Sequence, residues 1–128
     1  MRILLDTCTF LWILEESPQL SFQALDLFTS PDNEIFLSSV STWEIAVKHS
    51  LGRLPLPSDP TEFVPEMRVA HGIESLSLDE QSSLYVTRLP EYHRDPFDRM
   101  LLSQAIVHDL VILTPDQEIR RYPVKSMW

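Results

Sequence analysis

The sequence is poor in cysteine and glycine, and it contains no long apolar run. The single cysteine, Cys8, excludes an internal disulfide and leaves too few ligands for a thiolate metal site. The only glycines, Gly52 and Gly72, provide neither the Gly-x-Ser-x-Gly turn of serine hydrolases nor a glycine-rich phosphate loop. No apolar run approaches the roughly 20 residues of a membrane helix, and Asp6 comes too early for a signal peptide. We therefore expect a cytoplasmic protein with no membrane association.

Basic residues are also scarce, since 10 lysines and arginines face 19 acidic residues for a net charge of -9. This balance argues against binding nucleic acid by overall attraction. Any nucleic-acid partner needs a bound cation or a local group of basic side chains. At 128 residues, with 44% hydrophobic and 23% charged, the chain has the size and composition of one globular domain spanning residues 1–128.

Short apolar runs alternate with stretches of helical spacing along the chain. This alternation predicts an α/β fold in which a parallel sheet of four to five strands is covered by helices on both faces. The predicted strands are residues 2–6, 34–38, 73–76 and 110–113 with a weaker fifth at 124–127, and the predicted helices are 9–14, 21–28, 41–51, 59–70, 77–88 and 96–108, followed by a turn of helix at 115–119.

Four acids, Asp6, Glu44, Asp98 and Asp116, fall where predicted strands end or helices begin. Open parallel sheets bind ligands beyond the carboxyl ends of their strands, so these acids are able to converge there. Two ionised carboxylates about 4 Å apart repel by roughly 4 kcal/mol at an effective dielectric near 20. A cluster of this kind needs a divalent cation. Oxygen ligands without paired histidines or cysteines favour Mg²⁺ or Mn²⁺, which would suit phosphodiester cleavage.

Helix capping offers a second explanation for the same acids. Ser41–Glu44 has the pattern of a capping box, Asp95 precedes a proline at the start of a predicted helix, and Thr114–Gln117 forms a third capping pattern. The same pattern recurs at residues 59–62 and 77–80, where we suspect no chemistry. Spacing gives one argument for a functional role of Glu44 and Asp98. Each lies at the N-terminal end of the apolar stripe of its predicted helix and not on the solvated side.

Several basic and aromatic residues lie near these acids. Among the four dispersed histidines, His93 adjoins the acidic start of the helix at 96–108. Arg94 and Arg99 pair with neighbouring acids in one interpretation and meet phosphate in the other. For Trp43 we expect a place in the core or in a subunit contact.

Four segments together resemble the PIN-domain family, specifically the toxin ribonucleases of VapBC-type toxin–antitoxin pairs. They are Ile3–Thr7 (ILLDT), Trp43–Lys48 (WEIAVK), His93–Leu101 (HRDPFDRML) and Leu113–Asp116 (LTPD), and their order and spacing match over essentially the whole chain. The resemblance implies a three-layer α/β/α sandwich and an endoribonuclease dependent on Mg²⁺ or Mn²⁺. It also implies a homodimer silenced by a small cognate antitoxin, whose tail occupies the acidic cleft.

The resemblance further implies a role for individual residues. Pro115 departs from the family by replacing a usually polar or basic residue, which affects no ligand. The implied catalytic and metal-binding residues are Asp6, Glu44, Asp98 and Asp116, with Asp95 and Thr114 as accessory residues and Lys48, Arg94 and Arg99 as candidate RNA-binding residues.

Two other functions remain open from the residues themselves. One is a non-catalytic acidic interaction domain that binds a basic peptide of a partner. The other is a metal-dependent phosphatase, because Leu4–Thr9 (LLDTCT) superficially resembles the opening motif of haloacid-dehalogenase phosphatases. That motif requires a second aspartate at the position that Cys8 occupies in this sequence.

Overall fold

The computed structural model describes residues 1–128 and contains one parallel sheet of five short strands. The strand order is β3-β2-β1-β4-β5, so β1 is central and every neighbouring pair runs parallel. This confirms the predicted parallel α/β fold. The strands are β1 (Arg2–Leu5), β2 (Glu34–Ser38), β3 (Glu74–Leu76), β4 (Val111–Leu113) and β5 (Ser126–Met127).

Seven α-helices connect the strands, and a short 3₁₀ turn at Val86–Arg88 extends the fifth. None of them combines the length and the apolar composition that a membrane crossing requires. The helices are α1 (Thr7–Glu15), α2 (Phe22–Thr29), α3 (Ser39–Ser50), α4 (Pro60–Ala70), α5 (Glu80–Tyr85), α6 (Pro96–His108) and α7 (Gln117–Arg120).

Alternate residues of the central strand enter two separate cores, one on each face of the sheet. Ile3 and Leu5 belong to a cluster with residues of α1, α2, α3 and α4. Leu4 belongs to a second cluster that includes Leu101 and Leu102 of α6. Side chains alternate between the faces of a strand, so a strand buried on both faces is apolar throughout. The result is the expected three-layer α/β/α sandwich.

Four of the predicted helix starts are wrong. α1 begins at Thr7 instead of residue 9 and is capped by Asp6. α7 begins at Gln117 instead of residue 115 and is capped by Asp116, not by Thr114.

The other two wrong starts are those of α3 and α5. The predicted capping box at Ser41–Glu44 does not exist, because Ser38 caps α3 and places Ser41 inside the helix. The helix predicted at 77–88 begins only at Glu80, capped by Asp79, and ends as a 3₁₀ turn. In both cases the sequence predicts a serine as the cap, whereas the side chain of a different polar residue accepts a hydrogen bond from a free N–H group of the first turn.

The carboxyl edge of the sheet determines where the candidate site lies. The strand order changes direction at β1: β2 and β3 lie on one side of it, and β4 and β5 lie on the other. Such a switch opens a crevice beyond the strand ends. Asp6 directly follows β1, and Thr114 directly follows β4.

Candidate active site

Asp6 ends the central strand and is 4% exposed. One of its carboxylate oxygens accepts a hydrogen bond from the backbone N–H of Thr9 at 2.8 Å, which caps α1. The other accepts a hydrogen bond from the hydroxyl of Thr114. That hydroxyl also accepts the backbone N–H of Asp116 at 3.0 Å. Thr114 therefore links Asp6 to the segment that carries Asp116.

Glu44 lies within α3 and is 6% exposed, so its carboxylate is almost fully buried. It accepts a hydrogen bond from the hydroxyl of Thr7 at 2.7 Å and forms an ion pair with Lys48 one helical turn on. The hydrogen bond to Glu44 raises the pKa of Lys48, and the negative charges of Asp95 and Asp98 add to this effect. The Lys48 ammonium is therefore a counter-charge for several of the acids.

Asp98 lies in the first turn of α6, with its side chain 20% exposed. Burial, together with the charges of Asp95 and Asp116, raises the pKa of Asp98 to about 7, although a hydrogen bond with His93 acts in the opposite direction. Asp95 caps the helix by accepting the backbone N–H of Asp98 at 3.0 Å, as the sequence predicts. The Nε2 atom of His93 lies 3.2 Å from one carboxylate oxygen of Asp98.

Cys8 lies beside Asp6, with its thiol 3.2 Å from a carboxylate oxygen of that residue. Burial raises the pKa of the Cys8 thiol, and the charges of Asp6 and Asp116 contribute. A thiol held protonated in this way is a poor nucleophile. The Cys8 side chain is half-buried.

The four candidate acids are linked in pairs. Thr114 joins Asp6 to the backbone of Asp116, the charge of Asp116 acts on Asp98, and the charges of Asp98 and Glu44 both act on Lys48. Even so, no three of the His, Cys, Asp and Glu side chains stand close enough together to hold one metal ion. Thr7 and Lys48 engage Glu44, while Thr114 engages Asp6. The donor set itself, oxygen atoms of carboxylates of which Asp6 and Glu44 are buried and Asp98 and Asp116 half-buried, fits Mg²⁺ or Mn²⁺. A cation would also relieve the crowding that raises the pKa of Asp98.

The three candidate RNA-binding residues occupy different surroundings. Arg99 donates hydrogen bonds to the carbonyl oxygens of Pro90 and Val86 at 2.7 and 3.3 Å and to the hydroxyl of Tyr122 at 3.1 Å. It therefore fastens the loop before α6. Lys48 is paired with Glu44. Arg94 is exposed, and its side chain makes no hydrogen bond or ion pair within the protein.

Two residues of this region were missed in the sequence. Thr7 directly follows Asp6, so its position in the motif was the available signal for the contact with Glu44. Tyr122 lies in the C-terminal segment, is 3% exposed and contacts both His93 and Arg99. No pattern in the sequence pointed to it. Trp43, expected in the core or a subunit contact, is 59% exposed and lies edge-on against Phe97.

Comparison with known proteins decides the family. A family model described as the PIN domain matches residues 3–125. The chain belongs to the PIN-domain family. This confirms the resemblance found in the sequence of this PIN domain.

Individual relatives agree with this assignment. The chain is 43% identical over 47 residues to ribonuclease VapC16 of Mycobacterium tuberculosis (strain ATCC 25618 / H37Rv), a match that spans 37% of this chain and 33% of that relative. The aligned part is thus about one third of the relative's length.

Solved structures show the same fold at low sequence identity. The VapBC2 structure from Rickettsia felis, bound to a DNA fragment from its promoter, has a TM-score of 0.75 at 16% identity and covers 99% of this chain and 98% of the matched chain. The DNA-bound VapBC structure from Salmonella typhimurium has a TM-score of 0.70 at 18% identity, with 99% and 97% coverage.

Proposed function

We propose that this PIN domain is a metal-dependent endoribonuclease and acts as the toxin of a toxin–antitoxin pair. The observation that carries the proposal is the set Asp6, Glu44, Asp98 and Asp116, which come from four parts of the chain and are linked in pairs through Thr114, Lys48 and the charge of Asp116 on Asp98. Membership of the PIN family and the similarity to ribonuclease VapC16 support the same activity.

The proposed cofactor is Mg²⁺ or Mn²⁺, held by those four carboxylates. When bound, such an ion polarises a phosphoryl oxygen and lowers the pKa of water. An acid whose pKa is raised by burial and by neighbouring acids marks a candidate functional site, and a bound cation would offset the repulsion among these acids. Burial of the acids also limits the access of bulk water, which strengthens their electrostatic effect.

The remaining polar residues have supporting roles in the proposal. Thr114 fixes the orientation of Asp6. Asp95 caps the first turn of α6 and so fixes the backbone that carries Asp98. Thr7 holds one oxygen of Glu44. These contacts limit the motion of Asp6, Glu44 and the backbone that carries Asp98, which reduces the side-chain entropy that the acids lose when they close around an ion.

RNA has to approach a chain with a net charge of -9. Arg94 is the candidate best placed to meet a phosphate, because it is exposed and lacks a competing partner. Lys48 becomes available to a phosphate only when its pairing with Glu44 is released. Arg99 supports RNA binding indirectly, by fastening the loop that carries Arg94.

An antitoxin partner is supported by the solved structures of VapBC complexes and by an apolar groove on this chain. A groove of about 520 Å³ between α1 and α4 is lined by Leu11, Leu14, Leu56 and Phe63, among other residues. Helical segments of partner proteins commonly lay an apolar face into such grooves. We propose that a small cognate antitoxin binds there.

A homodimer is the proposed assembly. Exposed apolar surface marks a protein contact where it forms a contiguous patch. Trp43 on α3 and Leu84 on α5 are 59% and 67% exposed. Sedimentation of the purified chain tests this part of the proposal, and a monomer at high concentration contradicts it.

The activity is tested by offering labelled single-stranded RNA to the purified protein with Mg²⁺, with Mn²⁺ and with EDTA. We expect cleavage that requires the ion and is lost in Asp98→Asn. Asp26→Asn is the matched control, because Asp26 is exposed on α2 far along the chain from these acids. Cleavage that persists in EDTA, or equal cleavage by Asp98→Asn, contradicts the proposal.

The same preparation separates the two alternatives. A phosphatase would hydrolyse a small phosphomonoester in preference to RNA. A non-catalytic acidic domain would cleave neither substrate and would show no change in melting temperature with Mg²⁺ or Mn²⁺, because a ligand that binds only the native state raises that temperature.

A further inference from the structure

The hydroxyl of Tyr122 is the centre of a buried polar contact beside Asp98. Tyr122 is 3% exposed. Its oxygen lies 3.2 Å from the backbone nitrogen of His93, 3.1 Å from a guanidinium nitrogen of Arg99 and 2.8 Å from the Nδ1 atom of His93. Three nitrogen atoms thus surround one phenol oxygen.

Counting donors and acceptors fixes the direction of these bonds. A phenol has one proton to donate and two lone pairs to accept with. The backbone N–H of His93 and the guanidinium of Arg99 can only donate, so they occupy both lone pairs. The hydroxyl proton is therefore directed at the remaining contact, the Nδ1 atom of His93, which accepts it.

This direction sets the tautomer of the His93 ring. A neutral imidazole carries one proton, and when Nδ1 accepts a hydrogen bond the proton resides on Nε2. The Nε2 atom faces a carboxylate oxygen of Asp98 at 3.2 Å. The chain of donors runs from Arg99 to Tyr122, from Tyr122 to His93 and from His93 to Asp98.

We propose that Tyr122 and His93 are positioning residues for Asp98. Tyr122 sets the ring of His93 so that its Nε2–H donates to one oxygen of the Asp98 carboxylate and leaves the other free. The statement about the ring concerns the protein alone, while its consequence for metal binding and cleavage rests on the proposed function. Hydrogen bonds to a ligating carboxylate commonly govern metal affinity in this way.

The surroundings give the Tyr122 hydroxyl a fixed orientation. Arg99 is anchored by the carbonyl oxygens of Pro90 and Val86, so its donor to the phenol comes from a restrained side chain. The ring of Tyr122 also lies edge-on to His93, with 5.4 Å between ring centroids. Phenylalanine would preserve this packing and remove only the hydroxyl, which makes Tyr122→Phe a specific perturbation.

The tautomer is measured directly by nitrogen NMR of the histidine rings in the metal-free protein at about pH 8, where an ordinary imidazole is neutral. We expect a protonated Nε2 and an unprotonated Nδ1 in His93 of the wild type, and loss of this pattern in Tyr122→Phe. His108 is an internal reference, since its Nε2 contacts Asp79 at 2.7 Å and does not depend on Tyr122. A protonated Nδ1 in wild-type His93 overturns the proposal.

The consequence for Asp98 is measured by titrating Mn²⁺ alone by calorimetry. We expect Tyr122→Phe to weaken Mn²⁺ binding by about tenfold. The matched control is Tyr85→Phe, because Tyr85 is half-buried and its hydroxyl makes no hydrogen bond. Unchanged Mn²⁺ affinity in Tyr122→Phe, with a melting temperature equal to that of the control, overturns the positioning role.

A conservative substitution separates this role from simple packing. His93→Gln keeps a carbonyl able to accept from Tyr122 and an amide N–H able to donate to Asp98, whereas His93→Phe keeps only the bulk. We expect His93→Gln to retain Mn²⁺ affinity within about threefold of wild type and His93→Phe to lose about tenfold, as for other groups that support a metal ligand. Equal losses in the two variants contradict the proposal.

Failure of the proposed function gives a different result. If the wild type neither binds Mn²⁺ nor cleaves RNA, the nuclease assignment fails. The tautomer of His93 and its dependence on Tyr122 are then decided by the ring spectrum alone.

Discussion

Replacing Asp98 by Asn should stabilise the metal-free protein at alkaline pH. The pKa of Asp98 is raised to about 7, chiefly by burial and by the charge of Asp95. A carboxyl group whose pKa is raised in the folded state stabilises the fold while it is protonated. This stabilisation is lost as the pH rises from about 4, the pKa of the group in the unfolded chain, through about 7, its pKa in the folded protein. Asparagine has no charge to bury, so the variant avoids that loss.

The size of the effect follows from the shift. A change from 3.8 to about 7 corresponds to at most about 4 kcal/mol above pH 7. Because the carboxylate remains 20% exposed, water and salt reduce this value, and we expect a gain of about 1–2 kcal/mol at pH 8. For a domain of this size the gain corresponds to a rise in melting temperature of roughly 3–10 °C.

The assay is thermal unfolding in EDTA at pH 5 and pH 8, followed by the same scans with Mg²⁺. In EDTA the advantage of Asp98→Asn over wild type should grow between pH 5 and pH 8, whereas the control Asp26→Asn should show no such trend. With Mg²⁺ the wild type should gain stability and the variant should gain much less. A variant less stable than wild type in EDTA at pH 8 would refute the electrostatic reasoning.

Three further predictions concern residues around the acids. Lys48→Met removes the ammonium that competes for Glu44 and should tighten Mn²⁺ binding several-fold by calorimetry; weaker binding would argue against competition. Thr114→Val leaves Asp6 without one donor and should cost about 1–3 kcal/mol in urea unfolding, against under about 0.5 for the exposed Thr29→Val. Asp6→Asn should still cap α1 and fold, yet lose at least about 100-fold in RNA cleavage, and full activity would count against Asp6 as a ligand.

The sheet and its order of elements were predictable because buried parallel strands are apolar throughout. Residues 2–5 and 111–113 have this property, and the structure pairs them through Ile3 and Val111. Helix starts were less predictable, since several serines and aspartates compete for each cap. Only the positions of the backbone N–H groups decide among them, as at Ser38 and Ser41.

The sequence pointed to the region of the candidate site but could not show its connections. The acids at 6 and 116 were placed by their strands, yet the link through Thr114 depends on the register between β1 and β4. The pairing of Lys48 with Glu44 is a local contact one turn apart and was open to prediction. The contact of Tyr122 with His93 joins residues 29 positions apart and depends on packing that no spacing rule describes.

The central claim is that Asp6, Glu44, Asp98 and Asp116 hold one or more divalent ions. Crystals of the protein soaked in Mn²⁺ test it directly by anomalous scattering. We predict a manganese peak within ligand distance of at least three of these carboxylates, whose side chains have moved together around the ion, with Lys48 moved away from Glu44. A crystal without such a peak at a saturating concentration of Mn²⁺, or one with manganese bound only elsewhere, would contradict the account.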